Sequence, residues 1–273
     1  MQDKIKLAAE FIKAKIEFKP RIALILGTGL NPFAEIVTKS TSIPYHEIPG
    51  FVSSTAPSHQ GNLICGQIEG YPLLIMQGRY HYYEGYDLQT VTFPVRVLSE
   101  LGIEILIVTN ASGSLNKDLK PGDLVLIKDH INFMGNNPLI GTIDQTPGDR
   151  FPSLNDAYNE ALRNLIHRIA ADSNLPLPEG IYAVVSGPSL ETRAECLMLQ
   201  KMGADLVGMS TVPEVIVGVQ CGLKIIGLSV VTNYSNIFHT QAHNQIEIRK
   251  NAAKAIDNIK KLIINLIRKL SEV

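Results

Sequence analysis

The chain has 273 residues, of which 45% are hydrophobic and 19% are charged, and its formal net charge at pH 7 is −1. This composition is typical of a globular protein. The near-zero net charge excludes a global field that would attract nucleic acid or an anionic membrane, so any phosphate group must be bound locally.

No linker interrupts the sequence, so we expect one domain spanning residues 1–273. The three cysteines, Cys65, Cys196 and Cys221, are odd in number and lie in apolar stretches, which indicates reduced, packed thiols. The N-terminal segment lacks the continuous apolar core of a signal peptide, so we expect a cytoplasmic protein. The longest apolar region, residues 215–231, is interrupted by polar residues and glycines and does not predict a membrane span.

Apolar residues recur at helical spacing in some segments and form short strand-like runs in others. The predicted helices span residues 2–18, 88–101 with an interruption near Pro94, 156–172, 191–202, 213–221 and 243–270. The predicted strands span residues 22–26, 63–69, 72–77, 103–109, 124–128, 180–185, 205–209 and 224–232. Strands that alternate with helices predict a three-layer α/β/α fold with a large mixed, mostly parallel central sheet.

The chain is organised around residues 184–214. A buried strand is predicted to end at Val185 and to place Glu191 at the start of a helix. After Gly203, which suits the left-handed position that closes a helix, a short strand brings Ser210 to the same edge of the sheet. Open α/β sheets bind ligands at the carboxyl ends of their strands, so we expect Glu191 and Ser210 to converge. The apolar positions of this helix, at helical spacing, are Leu190, Ala194, Leu197, Met198 and Met202.

A glycine-containing loop, residues 27–30, follows the first predicted strand. Its backbone N–H groups and the hydroxyl of Thr28 can contact an anion. The alternative is a tight turn between a strand and a helix. Two glycines without the third of the dinucleotide-binding fingerprint are weak evidence for such a fold, and by itself the pattern favours the turn.

Residues 78–86 are too polar and aromatic for a core element and directly follow a predicted strand. Arg79 offers a fork of donors that matches two phosphate oxygens, and His81 and Tyr83 can bond phosphate or sugar hydroxyls. A packed aromatic loop would explain the tyrosines, but it would not explain the arginine and histidine. We therefore expect a loop that binds a substrate anion.

Two further strands end in residues suited to a ligand. The small residues at 110–114 would let a ligand approach the backbone closely. The last predicted strand delivers Asn233, whose amide donates at one end and accepts at the other, unlike a carboxylate.

Eight segments together resemble the purine nucleoside phosphorylases, in their trimeric branch that prefers 6-oxopurines. They are residues 27–30, 58–61, 78–86, 109–116, 148–158, 186–191, 203–217 and 232–233, in the family's order. The resemblance implies phosphorolysis of purine ribo- and deoxyribonucleosides such as inosine and guanosine, yielding the free base and (deoxy)ribose 1-phosphate. It implies a homotrimer in which phosphate is a co-substrate and neither a cofactor nor a metal is needed.

The resemblance also assigns site residues, among which Glu191, Asn233 and His81 carry the catalysis. The expected phosphate ligands are Thr28, His59, Arg79, His81, the backbone of Ala111, and Ser210. The expected nucleoside contacts are Tyr83, Leu190, Glu191, Val207, Met209, Asn233 and His243, with Phe151 contributed by the neighbouring subunit.

The chain departs from the family pattern at several of these positions. Thr28 replaces the usual serine but keeps its hydroxyl, and Ser112 and Ser114 replace smaller residues. Leu190 replaces a phenylalanine, which removes an aromatic contact with the purine worth about 0.5–1.5 kcal/mol. The segment 234–242 also departs from the pattern.

Other activities fit the sequence less well. A serine hydrolase requires a nucleophile flanked by glycines on both sides, which neither Ser189 nor Ser210 has. A nucleotide-dependent oxidoreductase lacks the third glycine of its fingerprint. A non-catalytic purine-binding protein would not need a phosphate loop. Within the family the alternative is a methylthioadenosine phosphorylase. Two residues argue against it: Asn233 in place of an aspartate, and Ser210 in place of a threonine.

Two histidine motifs also invite a chemical interpretation. Asp129 and His130 are adjacent on a predicted strand, where neighbouring side chains point to opposite faces, so a catalytic dyad is not expected. His239 and His243 have the spacing of two metal ligands on a helix. No Glu stands between them as in a zinc protease, and no Cys/His cluster completes a metal site.

Overall fold

The computed structural model describes residues 1–56, 59–141, 148–241 and 244–271. Within these ranges the helices are α1 (Gln2–Lys13), α2 (Leu88–Glu100), α3 (Glu160–Asp172), α4 (Arg193–Lys201), α5 (Val212–Gln220), α6 (Gln245–Lys254) and α7 (Ile256–Ser271). The strands are β1 (Ile22–Ile25), β2 (Thr38–Pro44), β3 (Asn62–Ile68), β4 (Tyr71–Met76), β5 (Ile105–Ser114), β6 (Leu124–Asn132), β7 (Glu179–Val184), β8 (Leu206–Gly208) and β9 (Lys224–Tyr234).

The strands form one mixed sheet in the order β2-β3-β4-β1-β5-β8-β7-β6-β9. Parallel pairs join β1 to β4 and β5, β5 to β9, and β7 to β6 and β8. Antiparallel pairs join β3 to β2 and β4, β5 to β8, and β6 to β9. Because β5 also pairs with β9, the strands β5, β8, β7, β6 and β9 close into a ring.

Helices cover the sheet on two sides, each with its own hydrophobic core. Buried residues of α1, α2 and α5 pack together with one set of strand residues, and those of α3 and α7 pack with the other set. The predicted three-layer α/β/α architecture with a mixed sheet is confirmed. All three cysteines are free, as predicted, and burial raises the pKa of the Cys65 thiol to about 12.

The helix predicted to break near Pro94 does not break. Helix α2 runs through Pro94, and every residue from 91 to 98 is buried. Proline removes only one backbone donor, the N–H that would bond the carbonyl of Thr90, and the rest of the helical hydrogen bonds remain available. The packing of α2 against α5 and α1 holds the segment helical despite the proline.

The long C-terminal helix predicted from one apolar pattern is two helices. Helix α6 ends at Lys254, and α7 begins at Ile256 after the single residue Ala255. Helix α6 packs against β9, whereas α7 packs against α3. The prediction of one helix was wrong because the apolar spacing continues across Ala255. The two helices are distinguished by their different packing partners.

Three further predictions are corrected. Helix α1 ends at Lys13, before the predicted end. In α4 the buried side chains are Cys196 and Leu199, whereas Met198 is 40% exposed. Strand β5 continues through Ser114, because pairing with β9 and β8 makes residues 110–114 strand rather than loop. No helix in the described part of the chain is long and apolar enough to cross a membrane.

Candidate active site

A cleft opens beside the carboxyl ends of β1, β4, β5 and β9. The residues that line it include eleven of those predicted from the sequence: Thr28, Arg79, His81, Tyr83, Ala111, Leu190, Glu191, Val207, Met209, Ser210 and Asn233. They come from segments far apart in the chain. The sheet order therefore brings the predicted residues together.

The turn after β1 lies directly against β5. The N–H of Gly27 donates to Thr109 Oγ1 at 2.9 Å, and a Cβ at Gly27 would lie 2.8 Å from the Cα of Asn110. Only a residue without a side chain allows this approach. It places Thr28 on the wall of the cleft, which Ala111 also lines.

Arg79 is a buried cation on the wall of the cleft. Its side chain is 2% exposed, and Nη1 lies 2.6 Å from Glu214 Oε2 and 3.0 Å from Thr211 Oγ1. Nη2 donates to the main-chain carbonyls of Ile25 and Thr109. Several acceptors therefore fix the guanidinium in place, and the carboxylate of Glu214 offsets part of its charge.

The ring of His81 is held from two sides. Nδ1 lies 2.9 Å from Glu84 Oε1, and the ring stacks on Tyr83 with centroids 4.6 Å apart. Burial raises the pKa of Glu84, but hydrogen bonds from His81 and Thr55 outweigh burial and lower the pKa to about 2. Glu84 is thus a carboxylate that accepts from Nδ1, which leaves Nε2 of His81 for a ligand.

His59 was predicted to contact phosphate, but it lies behind the wall of the cleft. Its ring stacks on His81 with centroids 5.0 Å apart, and its Nδ1 accepts from the N–H of Arg79 at 3.1 Å. Burial and the neighbouring His81 lower the pKa of His59 to about 4. It is not among the residues that line the cleft. The geometry assigns it to the support of the 79–81 loop.

The serines at 112 and 114 direct their hydroxyls into the protein. Ser112 Oγ lies 2.7 Å from Ser229 Oγ, and Ser114 Oγ donates to the carbonyl of Asn116 at 2.6 Å. Both serines are buried. The departures from smaller residues are accommodated by hydrogen bonds within the protein.

Ser210 lies in the turn between β8 and α5. Its N–H donates to the hydroxyl of Tyr182 at 3.5 Å, and its Oγ lies 3.2 Å from Thr211 Oγ1. The residues before it, Val207 and Met209, contribute apolar surface to the cleft. Gly187 is required opposite Met209, since a Cβ there would lie 2.4 Å from the Met209 sulfur.

Glu191 precedes α4 and is half-buried. Its main-chain carbonyl accepts from Asn236 Nδ2 at 2.6 Å, which fixes the segment. Thr192 caps α4 together with Glu195, so the helix begins immediately after Glu191. Burial raises the pKa of the Glu191 carboxyl. A partly desolvated carboxylate strongly favours a ligand that donates hydrogen bonds.

Asn233 lies near the end of β9, opposite Gly113 of β5. Its Oδ1 accepts from Thr232 Oγ1 at 2.9 Å, and its Nδ2 donates to the carbonyl of Tyr234 at 3.1 Å. A Cβ at Gly113 would lie 3.3 Å from Nδ2, so the glycine leaves room for the amide. These bonds orient a group that can both donate and accept.

The family model of the phosphorylase superfamily matches residues 21–268. The purine nucleoside phosphorylase 1 of Bacillus subtilis is 49% identical over 85% of this chain and 86% of its own. The chain belongs to the purine nucleoside phosphorylase family. Structures of the Schistosoma mansoni purine nucleoside phosphorylase in complex with adenosine and with inosine have TM-scores of 0.92 and 0.91. Each is 39% identical and covers 98% of this chain, and this chain covers 97% and 96% of theirs.

Membership in this family makes the reaction the phosphorolysis of purine nucleosides. The names of the similar proteins favour that reaction over methylthioadenosine phosphorolysis. Within the described residues, no group of three His, Cys, Asp or Glu side chains could hold a metal ion.

One described residue that the family resemblance assigns to the nucleoside, Phe151, is not in the cleft of this chain. Phe151 is 84% exposed and lines a separate surface hollow together with Leu139, Ile140 and Pro152. His243 lies outside the described residues.

Four polar residues in or behind the cleft were not predicted from the sequence: Thr211, Glu214, Ser235 and Asn236. Glu214 had a signal, since it is the one charged residue in the apolar segment of α5. Thr211 followed a predicted ligand, Ser210. Ser235 and Asn236 lie in the segment that departs from the family pattern, where the resemblance offered no assignment.

Proposed function

We propose that the cleft binds inorganic phosphate and a 6-oxopurine nucleoside side by side. A phosphate oxygen attacks the anomeric carbon of the sugar from the face opposite the base. The electron pair of the glycosidic bond leaves with the purine, and the product is ribose or deoxyribose 1-phosphate with inverted configuration. Phosphate is the co-substrate, and the proposal includes neither a metal nor an organic cofactor.

The phosphate half of the cleft consists of Thr28, Arg79, His81, Ser210 and the backbone of Ala111. Arg79 supplies a buried positive charge, and the hydroxyls and the Nε2 of His81 supply further polar contacts. Bound phosphate would face the positive charge that develops on the sugar as the base leaves. Groups held in place before the reaction stabilise such charge with little reorganisation.

The base half consists of Glu191 and Asn233. A carboxylate at Glu191 accepts from the N1–H of hypoxanthine or guanine and from the exocyclic amine of guanine. Asn233 can donate to N7 or the 6-oxygen while the purine becomes electron-rich. The single observation that carries the proposal is that an acceptor-only carboxylate and a donor amide line the same cleft as a buried arginine.

The sugar lies between these halves in the proposal. Tyr83 stacks on His81 and lines the cleft, and Met209 and Val207 cover its apolar side. Leu190 is 48% exposed at the rim, so part of the apolar cover comes from a flexible aliphatic side chain. His243 remains a proposed ligand of the ribose 5′-hydroxyl.

We also propose a homotrimer in which Phe151 completes the nucleoside site of a neighbouring subunit. Phe151 and Ile140 are 84% and 66% exposed, and they share a hollow lined by other apolar residues. Exposed apolar clusters of this kind usually mark interaction surfaces. The stacked Arg150 guanidinium, 5.3 Å from the Phe151 ring centroid, would lie at the edge of the contact.

The test is turnover of inosine with and without phosphate, with the sugar product identified. We expect release of hypoxanthine to require phosphate and to yield ribose 1-phosphate. Arg79→Ala should raise the KM for phosphate more than the KM for inosine. Equal turnover in phosphate-free buffer with free ribose as product would instead indicate a hydrolase. One similar structure holds adenosine and another holds inosine. A comparison of these nucleosides as substrates must therefore measure turnover rather than binding.

A further inference from the structure

Thr211 has a backbone conformation that β-branched residues rarely adopt. Its φ is 75° and its ψ is −55°, and the N–H of Val212 donates to the carbonyl of Ser210 at 2.8 Å. These values define a γ-turn of the strained, positive-φ form. Glycine would adopt this conformation with less backbone strain. The position nevertheless holds a threonine, and this residue is only 1% exposed. Strain at a buried residue beside a cleft points to a function for that side chain.

The hydroxyl of Thr211 lies at the centre of a buried polar network. Oγ1 is 3.0 Å from Arg79 Nη1, 2.9 Å from Asn110 Nδ2 and 3.2 Å from Ser210 Oγ. Arg79 and Asn110 are both about 1% exposed, so neither can exchange these bonds for water. Nothing in the sequence comparison or the reaction assigns a role to this hydroxyl.

Counting donors and acceptors sets the direction of the Thr211–Ser210 bond. A hydroxyl has one proton and two lone pairs. The guanidinium of Arg79 and the amide nitrogen of Asn110 can only donate, so they occupy both lone pairs of Thr211. The proton of Thr211 then has Ser210 Oγ as its acceptor.

The far end of the network decides the orientation of the Asn110 amide. Ser229 Oγ lies 2.6 Å from Asn110 Oδ1 and 2.7 Å from Ser112 Oγ. With Oδ1 toward Ser229, the Ser112 hydroxyl donates to Ser229 Oγ, and the Ser229 hydroxyl donates to Asn110 Oδ1. Every donor then has an acceptor. With the amide reversed, Asn110 would donate to Ser229 and Ser229 to Ser112. The Ser112 hydroxyl would then lack an acceptor, because it has no second partner within the described part of the chain. A buried donor without an acceptor is costly, which favours the first direction.

Tyr182 completes the environment of Ser210. Its hydroxyl oxygen accepts from the N–H of Ser210 at 3.5 Å. Tyr182 is fully buried, so this contact lies on the protein side of Ser210. Ser210 Oγ therefore accepts the proton of Thr211, and its own proton is available to a ligand in the cleft that Ser210 lines.

We infer that Thr211 is a positioning residue that makes Ser210 an obligatory hydrogen-bond donor to the ligand anion. The strained turn places the Thr211 hydroxyl between Arg79 and Ser210, so the guanidinium and the serine proton are aligned together. A site prepared in this way favours a ligand that presents an anionic acceptor oxygen to Ser210, as phosphate does, over the neutral oxygen of water. This inference rests on the proposed phosphate site.

The experiment compares Thr211→Val, Thr211→Ser, Ser210→Ala and the double variant Thr211→Val/Ser210→Ala. KM is measured for phosphate at saturating inosine and for inosine at saturating phosphate. Thr211→Val keeps the β-branched shape and removes the hydroxyl, and Thr211→Ser keeps the hydroxyl. We expect Thr211→Val to raise the KM for phosphate about tenfold or more, as for loss of a hydrogen bond to a charged ligand, and to change the KM for inosine by less than about twofold.

The conservative variant and the double variant separate positioning from packing. Thr211→Ser should stay within about threefold of the wild type, and Thr211→Val should add only about threefold or less when Ser210 is already alanine. Should Thr211→Val not fold, Thr211→Gly also lacks the hydroxyl and suits the positive φ. The inference would be overturned if the effects of Thr211→Val and Ser210→Ala on the KM for phosphate simply multiplied in the double variant. It would also be overturned if Thr211→Val raised the KM for phosphate and the KM for inosine equally. A wild type that needs no phosphate would instead reject the proposed function.

Discussion

Glu84 Oε1 accepts from both the main-chain N–H and Nδ1 of His81, at 2.8 and 2.9 Å. Its other oxygen, Oε2, accepts from the N–H and the hydroxyl of Thr55 at 2.6 and 2.7 Å. One carboxylate thus joins the loop before β3 to the loop that carries His81. It also sets which nitrogen of His81 holds the proton.

Glu84→Gln should destabilise the protein and lower activity. The amide keeps one acceptor but replaces the other with a donor, which would face the N–H groups of His81 or Thr55. We expect a loss of about 1–3 kcal/mol in the free energy of unfolding at pH 7, measured by urea denaturation. Asp87→Asn, an N-cap of α2 outside this network, is the control and should cost less. An unchanged stability for Glu84→Gln would show that the four bonds contribute little.

The same carboxylate predicts a pH dependence. The folded-state pKa of Glu84 is about 2, below the usual 4.5, so its contribution to stability is present above the unfolded pKa. That contribution should decline as the pH falls from about 5 toward 2. Unfolding of the wild type and Glu84→Gln at several pH values in this range checks the sign. The difference between the two should shrink toward low pH, and a difference that grows would contradict the assignment.

Base choice should depend on Glu191 and Asn233. Inosine presents N1–H to the Glu191 carboxylate, whereas adenosine presents a lone pair, and a site built around a hydrogen bond can reject such an analogue by about 10⁴-fold. Glu191→Ala should lower kcat/KM for inosine by about 10²-fold or more. Asn233→Asp should lower inosine turnover sharply and raise the relative use of 6-aminopurines. The measurement is kcat/KM for inosine and adenosine in all three proteins. Equal use of both nucleosides by the wild type would remove the basis of the assignment.

Phe151 provides a test of a shared site by subunit mixing. Phe151→Ala and Glu191→Ala should each be impaired alone, because one lacks the aromatic lent to the neighbour and the other lacks its own base contact. Co-expression should restore activity, since mixed trimers contain sites with Glu191 from one subunit and Phe151 from the next. Phe133→Ala, at another exposed aromatic, is the matched control for loss of surface area. An active monomer in sedimentation, or no recovery on mixing, would mean that Phe151 serves no neighbouring site.

Gly27→Ala should impair the turn that carries Thr28. The added Cβ would lie 2.8 Å from both the Cα of Asn110 and the carbonyl oxygen of Thr109, and backbone atoms cannot move aside as a flexible side chain can. We expect about 1–3 kcal/mol of destabilisation, together with a higher KM for phosphate. Thr28→Ser in the same turn keeps the hydroxyl and should remain close to the wild type. Thermal unfolding and phosphate kinetics of both variants check this, and a Gly27→Ala protein of normal stability would show that the strands can separate.

Much of the site could be predicted from the sequence because its residues directly follow strands. Arg79, Ser210 and Asn233 each come after a buried apolar run, and the carboxyl ends of such strands meet at one edge. His59 also lies in a polar loop, but the sequence of that loop does not reveal that the His81 ring lies between His59 and the cleft. Met198 and Met202 recur at helical spacing and yet are exposed, because spacing reveals periodicity and not which face of a helix has a packing partner.

The sequence by itself therefore determined the strand-like and helix-like periods, the glycines required at turns, and the polar residues at the ends of strands, since all of these depend on neighbours along the chain. Only the tertiary structure decided that Arg79 pairs with Glu214, 135 residues away. It also decided that Thr211 lies between Arg79, Asn110 and Ser210. Those contacts exist because β5 pairs with β9 and β8 and closes the ring of strands, a long-range pairing that no local pattern encodes.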